Sequence, residues 1–292
     1  MRVAVFGRNF HPSCRENVAT LFNRLEAMSA EVILYRPFFD FLQKDAGLRP
    51  RVKGVFEGHE DLPHDTDFLF SVGGDGTFLE TLSIIRRKDI PVVGLNTGRL
   101  GFLAYISQES LEESLDSIFS GRFDLEERML LEVSHPESSQ QGFNMALNEV
   151  RIYKHTASLM TIHVHVNDDF LSSYWADGLI LSTPTGSTAY SLSVGGPIVV
   201  PESDTMVLSP IAPHNLTVRP LVLPGNARLQ FTVETREPVY QLALDSRSVE
   251  VPVTEKVTIA RSPHTLKMVR IENISFYSTL RNKLMWGIDK RN

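Results

Sequence analysis

The sequence predicts an α/β domain over residues 1–122 and a β-rich domain over residues 123–271, with a helix in 272–292 packing back on the first domain. Three observations carry this division. Short apolar runs alternate with amphipathic stripes as far as Phe119, the pattern of an α/β unit. From Phe123 the stripes nearly vanish, and short β-branched or alternating runs follow one another between turn residues. Helical spacing then returns at Phe276, Leu280 and Leu284, ahead of Gly287. At about 150 residues per domain, 292 residues allow about two domains.

Taken in order, Val3–Phe6 reads as a first strand, and Val18, Leu21, Phe22, Leu25 and Met28 recur at helical spacing. Glu31–Tyr35 and Phe68–Val72 read as strands, while residues 43–65 carry no usable signal. A helix starting near Phe78 has Phe78, Leu79, Leu82 and Ile85 on one face, and Arg86, Arg87 and Lys88 suit its C-terminal end. Pro91–Leu95 is the next strand. Leu111, Leu115, Ile118 and Phe119 stripe a further helix with Ser107 as its expected N-cap. Beyond Phe123, strands are expected at Met160–Val166, Leu216–Leu223, Leu229–Glu234, Val239–Leu244, Val249–Val253 and Lys256–Ala260, with Asp245-Ser246 a hairpin turn.

Composition removes several classes of function. Net charge is −6 with scattered basic residues, so no electrostatic footprint for DNA or RNA exists. No apolar run approaches the ~18 residues of a membrane span. Cys14 is the single cysteine; it cannot form an internal disulfide and fits a reducing, cytoplasmic compartment. A cytoplasmic enzyme is the starting expectation.

Two segments carry chemistry. Gly73-Gly74-Asp75-Gly76-Thr77 lies between a strand and a helix, where the ligand crevice of an open parallel sheet lies and where unpaired helix N–H groups meet an anion. Glycines there keep side chains away from phosphate oxygens, and Thr77 adds a hydroxyl. Asp75 is the odd member. A carboxylate beside a polyphosphate needs an intervening cation or serves as a base for an incoming hydroxyl, and either role implies phosphoryl transfer. The plain alternative is a helix cap. Neither a G-x-x-x-x-G-K-[ST] loop nor a G-x-G-x-x-G at the first strand occurs, which weighs against P-loop enzymes and hydride-transferring dehydrogenases.

The second segment, Asp177 to Ser191, is an apolar strand followed by a turn rich in hydroxyls and glycine, suited to ribose and phosphate, with Ala189 and Tyr190 able to flank a flat base. Asn148-Glu149 interrupts what should be a half-buried strand, and polar groups there require partners. A purine edge and a ribose diol would serve, as would a sheet-edge hydrogen bond. His163 and His165 share one strand face but have no third ligand nearby in sequence, so they are read as a surface face.

In their order along the chain, GGDGT (73–77), NTGRLGFLA (96–104), LNEV (147–150), DGLILSTPTGSTAYSLSVGGPI (177–198), SPIAPHNL (209–216) and LDS (244–246) resemble the NAD kinases. The resemblance spans roughly residues 68–285. It implies a Rossmann-like, phosphofructokinase-like parallel sheet in the first domain, a sandwich-like β domain, and transfer of the ATP γ-phosphoryl group to the 2′-hydroxyl of the adenosine ribose of NAD. By this resemblance Asp75 accepts the hydroxyl proton, and Gly73, Gly74, Gly76 and Thr77 hold the donor phosphates. Asp75 and Gly76 also touch NAD, Asn148 and Glu149 hold adenine and ribose, and Thr188, Ala189 and Tyr190 line the adenosine pocket. Ser191, Leu192 and Ser193 continue that loop. Asp177 matches a carboxylate near the nicotinamide riboside, and Ala212 and Arg247 match positions near the dinucleotide. Arg247 replaces a small or amide side chain, and Trp175 a basic or small one. The resemblance further implies Mg²⁺ or Mn²⁺ with ATP and a homodimer or homotetramer. A lipid or sugar kinase sharing the GGDGT turn is the rival enzyme, and a dinucleotide sensor without turnover the rival of another class.

Overall fold

The computed structural model describes residues 1–98, 101–136, 143–271 and 275–287. The expected stretches at 99–100, 272–274 and 288–292 lie outside the described residues. The chain divides into two compact units, Met1–Glu127 with Leu266–Asn292, and Arg128–Thr265.

The first unit contains β1 (Arg2–Gly7), α1 (Arg15–Ala27), β2 (Glu31–Tyr35), α2 (Arg36–Lys44), β3 (Gly54–Phe56), β4 (Phe68–Gly73), α3 (Asp75–Ile85), β5 (Val92–Asn96) and α4 (Leu111–Phe119). The strands pair in the order β5-β4-β1-β2-β3, all parallel. Sequential parallel strands need crossovers, which the helices supply. Val3, Val5, Leu34, Phe70, Val93 and the inward stripe Val18, Leu21, Leu25 are buried, so the strands are covered on both faces as parallel strands require.

Several local expectations change. Residues 36–56, partly in the stretch without signal, hold α2, seated by Phe38 and Leu42 one turn apart, and the three-residue β3. Helix α3 begins at Asp75 rather than near Phe78 because the glycines adopt the helix start, where Asp75 complements the dipole. It ends at Ile85, so the cations fall beyond it: Arg86 is the C-cap and Lys88 donates to the carbonyls of Leu62 and His59. The residue before α4 is Ser110, not Ser107; the two hydroxyls lie 3.3 Å apart in one turn.

Strand β6 (Asp124–His135) leads into the second unit, which holds β7 (Met145–Ala146), β8 (Glu149–Tyr153), β9 (Met160–Val166), β10 (Asp169–Trp175), β11 (Gly178–Ser182), the short α5 (Tyr190–Ser193), β12 (Thr205–Ile211), β13 (Leu221–Pro224), β14 (Leu229–Thr235), β15 (Val239–Leu244) and β16 (Arg247–Pro252). One antiparallel sheet runs β13-β12-β11-β8-β15-β16. The other runs β10-β9-β14 and on to β17 (Val257–Arg270). Inward residues of both, among them Leu179 and Leu181 from β11 and Ile162, Val164 and Phe231 from β9 and β14, share one core, which makes a sandwich. Strand β13 starts five residues later than the apolar run at Leu216 suggests, since Asn215 Oδ1 accepts the Thr217 N–H at 3.1 Å and holds a turn there.

The end of β17 and α6 (Phe276–Leu284) belong to the first unit. Met268 pairs in parallel with Val92 of β5, and a Ser275/Ser278 capping box starts α6. No described helix is long and apolar enough to cross a membrane.

Candidate active site

In the first unit a candidate site forms at the carboxyl end of β4. Gly74 is extended and offers no capping side chain, and the first intrahelical donor is the Phe78 N–H, to Gly74 O at 3.1 Å. The N–H groups of the first α3 turn are therefore open to an anion. A Cβ on Gly73 would collide with Thr77 Oγ1, so Thr77 lies folded against the turn.

Asp75 is tied down on both oxygens. Its Oδ1 accepts the N–H groups of Leu103 and Ala104 at 2.9 and 3.0 Å, and its Oδ2 accepts the Phe102 N–H at 2.9 Å. Lys283 Nζ, from α6, stands 3.2 Å from Oδ2. A Cβ on Gly101 would strike Oδ1, so only glycine lets this loop close on the carboxylate. Burial acts to raise the Asp75 pKa, but the three N–H bonds and Lys283 outweigh it and hold the carboxyl below its usual range. Asp75 is thus ionised at neutral pH and braces residues 101–104, a role its sequence position does not reveal.

In the second unit a separate candidate site forms around Asn148 and Glu149 at the start of β8. Asp245, at the β15–β16 hairpin with φ +52°, turns its buried carboxylate onto this strand. It accepts the N–H groups of Leu147 at 2.9 Å, Asn148 at 2.8 Å and Glu149 at 3.2 Å. After β11 the chain turns through Thr185–Thr188 and packs directly on Asn148. The Thr183 N–H donates to Asn148 O at 2.9 Å, and a Cβ on Gly186 would collide with that same carbonyl. Several hydroxyls of the turn are used internally: Thr183 to Leu147 O, Ser187 to Pro184 O, Thr188 to Thr185 O, and Ser191 with Ser209.

What this packing leaves over is informative. The buried Asn148 amide makes no hydrogen bond to the described residues, and Glu149 Oε2 is buried without a partner. Burial and, next, the charge of Asp245 push Glu149 up to about 7, against Arg151 and the Tyr190 N–H. The Arg151 guanidinium lies 5.3 Å from the Tyr190 ring centroid and 5.6 Å from that of Tyr153, and it donates to Asp245 O at 3.1 Å. A buried amide and carboxylate with unused polar atoms form a socket for a ligand with its own donors.

The remaining expected residues are more dispersed. Asp177 pairs with Lys154 Nζ at 2.6 Å. Ala212 is exposed at the end of β12 with φ +44°. Arg247 donates to Phe143 O at 2.8 Å and to Met145 O, so these contacts hold the strand leading to Asn148. Leu192 and the exposed Ser193 lie in α5. Trp175 is exposed at the end of β10. His163 Nδ1 lies 2.7 Å from Ser173 Oγ on a strand face, and no group of three or more His, Cys, Asp or Glu gathers for a metal among the described residues. Sequence reasoning missed Lys283, Arg151 and the anchoring role of Asp245; the Asp245 turn signalled a hairpin and a motif of the resemblance, but not the strand it holds.

An anion-receptive turn on a parallel α/β sheet and an amide–carboxylate socket on a β-sandwich are the chemistry expected of a nucleotide phosphotransferase. Family models for the ATP-NAD kinase N-terminal domain and C-terminal domain match residues 13–123 and 147–271. The NAD kinase of Flavobacterium psychrophilum is 41% identical over 295 residues, covering 100% of both chains. An NAD kinase from Archaeoglobus fulgidus in complex with ATP superposes with TM-score 0.74 at 25% identity, covering 98% of each chain. The yeast NADH kinase complexed with NADH shares the fold at TM-score 0.84 and 22% identity, covering 99% of this chain and 88% of that one. The chain belongs to the NAD kinase family. It is a kinase that phosphorylates NAD, which sets aside the lipid or sugar kinase and the sensor without turnover.

Proposed function

We propose that the phosphate turn of the first unit handles ATP and that the socket of the second unit handles the adenosine half of NAD. The observation that carries the reading is the buried, unpartnered Glu149 Oε2 beside the open Asn148 amide. A ribose diol supplies the donors that Glu149 lacks, and a purine edge pairs with the Asn148 amide. Thr188, Ala189 and Tyr190 line the base side, with Ser191, Leu192 and Ser193 behind them. Asp177, Ala212 and Arg247 serve the rest of the dinucleotide.

In the reaction the 2′-hydroxyl oxygen attacks the ATP γ-phosphorus, the bond to the bridging oxygen of ADP breaks, and Asp75 takes the hydroxyl proton. A carboxylate held ionised is a weak base. It suffices because phosphoryl transfer passes through a loose transition state in which positioning and electrostatics dominate. Open N–H groups of the α3 first turn, with Gly73, Gly74, Gly76 and Thr77, hold the donor phosphates. Magnesium or manganese enters as part of the ATP substrate and offsets phosphate charge. A homodimer or homotetramer is the assembly that the resemblance to the family implies. The buried free thiol of Cys14 fits a cytoplasmic setting.

The test is Glu149→Gln with both Michaelis constants measured. One charge-assisted hydrogen bond contributes about 1.5–3 kcal/mol, so KM for NAD should rise about 10- to 100-fold with KM for ATP unchanged. A change in KM for ATP alone would place Glu149 on the wrong substrate.

A further inference from the structure

A carboxylate offers about four acceptor sites, and those of Asp75 are all taken. Two on Oδ1 receive Leu103 and Ala104, and two on Oδ2 receive Phe102 and Lys283. For Asp75 to accept the proton of an incoming hydroxyl, one partner must leave. Three of the four are backbone N–H groups of a loop pressed against Asp75 through Gly101. The fourth is a side-chain ammonium, 35% exposed, on a flexible stem. It is the only exchangeable one. Lys283 also keeps a second hold nearby, since Nζ lies 4.7 Å from the Phe102 ring centroid, and Phe102 packs on Phe276 at the start of the same helix at 5.9 Å. A lysine displaced from Asp75 therefore stays beside the phosphate turn.

We propose that Lys283 is the displaceable partner of Asp75: the acceptor hydroxyl takes its place on Oδ2, and the released ammonium meets the phosphoryl group in transfer. This rests on the reading of Asp75 as the proton acceptor. It resolves a deficit in the sequence, where the site carboxylates Asp75, Glu149 and Asp177 have no accompanying lysine cluster for a triphosphate. The cation is delivered from 208 residues downstream of Asp75 by α6. Lys283 thus guards Asp75 before substrate binds and stabilises charge while the bond forms, without any new covalent chemistry.

The experiment compares Lys283→Met, Lys283→Arg, Asp75→Asn and the double variant Asp75→Asn/Lys283→Met in steady-state NADP formation with ATP and magnesium, with thermal melts as the folding control. Removing one preorganised donor to developing charge is expected to lower kcat about 100- to 1000-fold. For Lys283→Met we expect kcat in the lower part of that range, KM for NAD unchanged, and recovery of most of the loss in Lys283→Arg. In the Asp75→Asn background the second substitution should cost much less than it does alone, since the exchange no longer exists. A merely structural lysine would lower the melting temperature and leave the kcat of the folded enzyme intact; that outcome, or a Lys283→Arg as slow as Lys283→Met, overturns the proposal. If Lys283→Met is unimpaired while Asp75→Asn is inactive, the lysine assignment alone fails. If Asp75→Asn turns over normally, the proton-acceptor reading fails, and the exchange with it.

Discussion

Asp75 in the first unit and Asp245 in the second are held by the same device, a carboxylate accepting three consecutive backbone N–H groups, from residues 102–104 in one case and 147–149 in the other. Their acidities nevertheless move in opposite directions. Asp75 is partly open to solvent and has a lysine for its fourth partner, so its pKa falls despite desolvation. Asp245 is wholly buried with Glu149 beside it; burial raises its pKa even against its N–H bonds and Arg247. Identical hydrogen bonding does not set ionisation by itself. Solvent access and the nearest charge decide it: both carboxylates brace a backbone segment, but only Asp75 is held ionised and partly open to solvent.

The sharpest way to break this contrast is to neutralise each carboxylate. Asp75→Asn should lower kcat by about 10²–10⁴-fold with NAD binding nearly intact, because a general base contributes on that scale. Asp245→Asn should act through stability. It leaves backbone donors poorly matched in a buried site, at about 1–3 kcal/mol for each one orphaned, and denaturant midpoints read the loss. Equal turnover losses in the two purified, folded variants would erase the distinction.

A finer cut uses the glycines that let each carboxylate region close. An alanine methyl at Gly101 meets Asp75 Oδ1, and one at Gly186 meets Asn148 O. Overpacking of this kind costs typically about 1–3 kcal/mol. Gly101→Ala is expected to show it in kcat and Gly186→Ala in KM for NAD. Reversal of that pattern would mean the two loops serve the other substrate.

The last contrast is in pH-dependent stability. Glu149 in the folded protein titrates near 7, against 4.5 as its ordinary value. Between those values the folded state holds a proton that the unfolded state has lost, so stability must fall as pH rises through that window. Asp245, also raised, contributes in the same direction. Melting temperatures of the nucleotide-free protein should decline from about pH 5 to about pH 8, with a shallower slope in Glu149→Gln. A flat profile in the parent protein would show that Glu149 is ionised throughout.

The α/β and β-rich character of the two regions was legible from the chain because period and turn chemistry are local, whereas the sandwich arrangement came from the resemblance: Phe68–Val72 before Gly73, or Met160–Val166 with its alternating burial, state their strand character within a few residues. The GGDGT turn was legible for the same reason, since a strand, three glycines and a helix stripe adjoin in sequence. Helix α2 escaped because nine residues with two buried anchors present too short a pattern. Tertiary structure alone decided which polar groups would be consumed and which left open. Asp245 reaches Asn148 across 97 residues and Lys283 reaches Asp75 across 208. No periodicity encodes such meetings, because each depends on where a hairpin tip or a terminal helix comes to rest after the apolar faces have packed. Sequence determined that a carboxylate would sit at the GGDGT turn; packing determined that its four acceptor sites would be filled and that a lysine would fill the last of them.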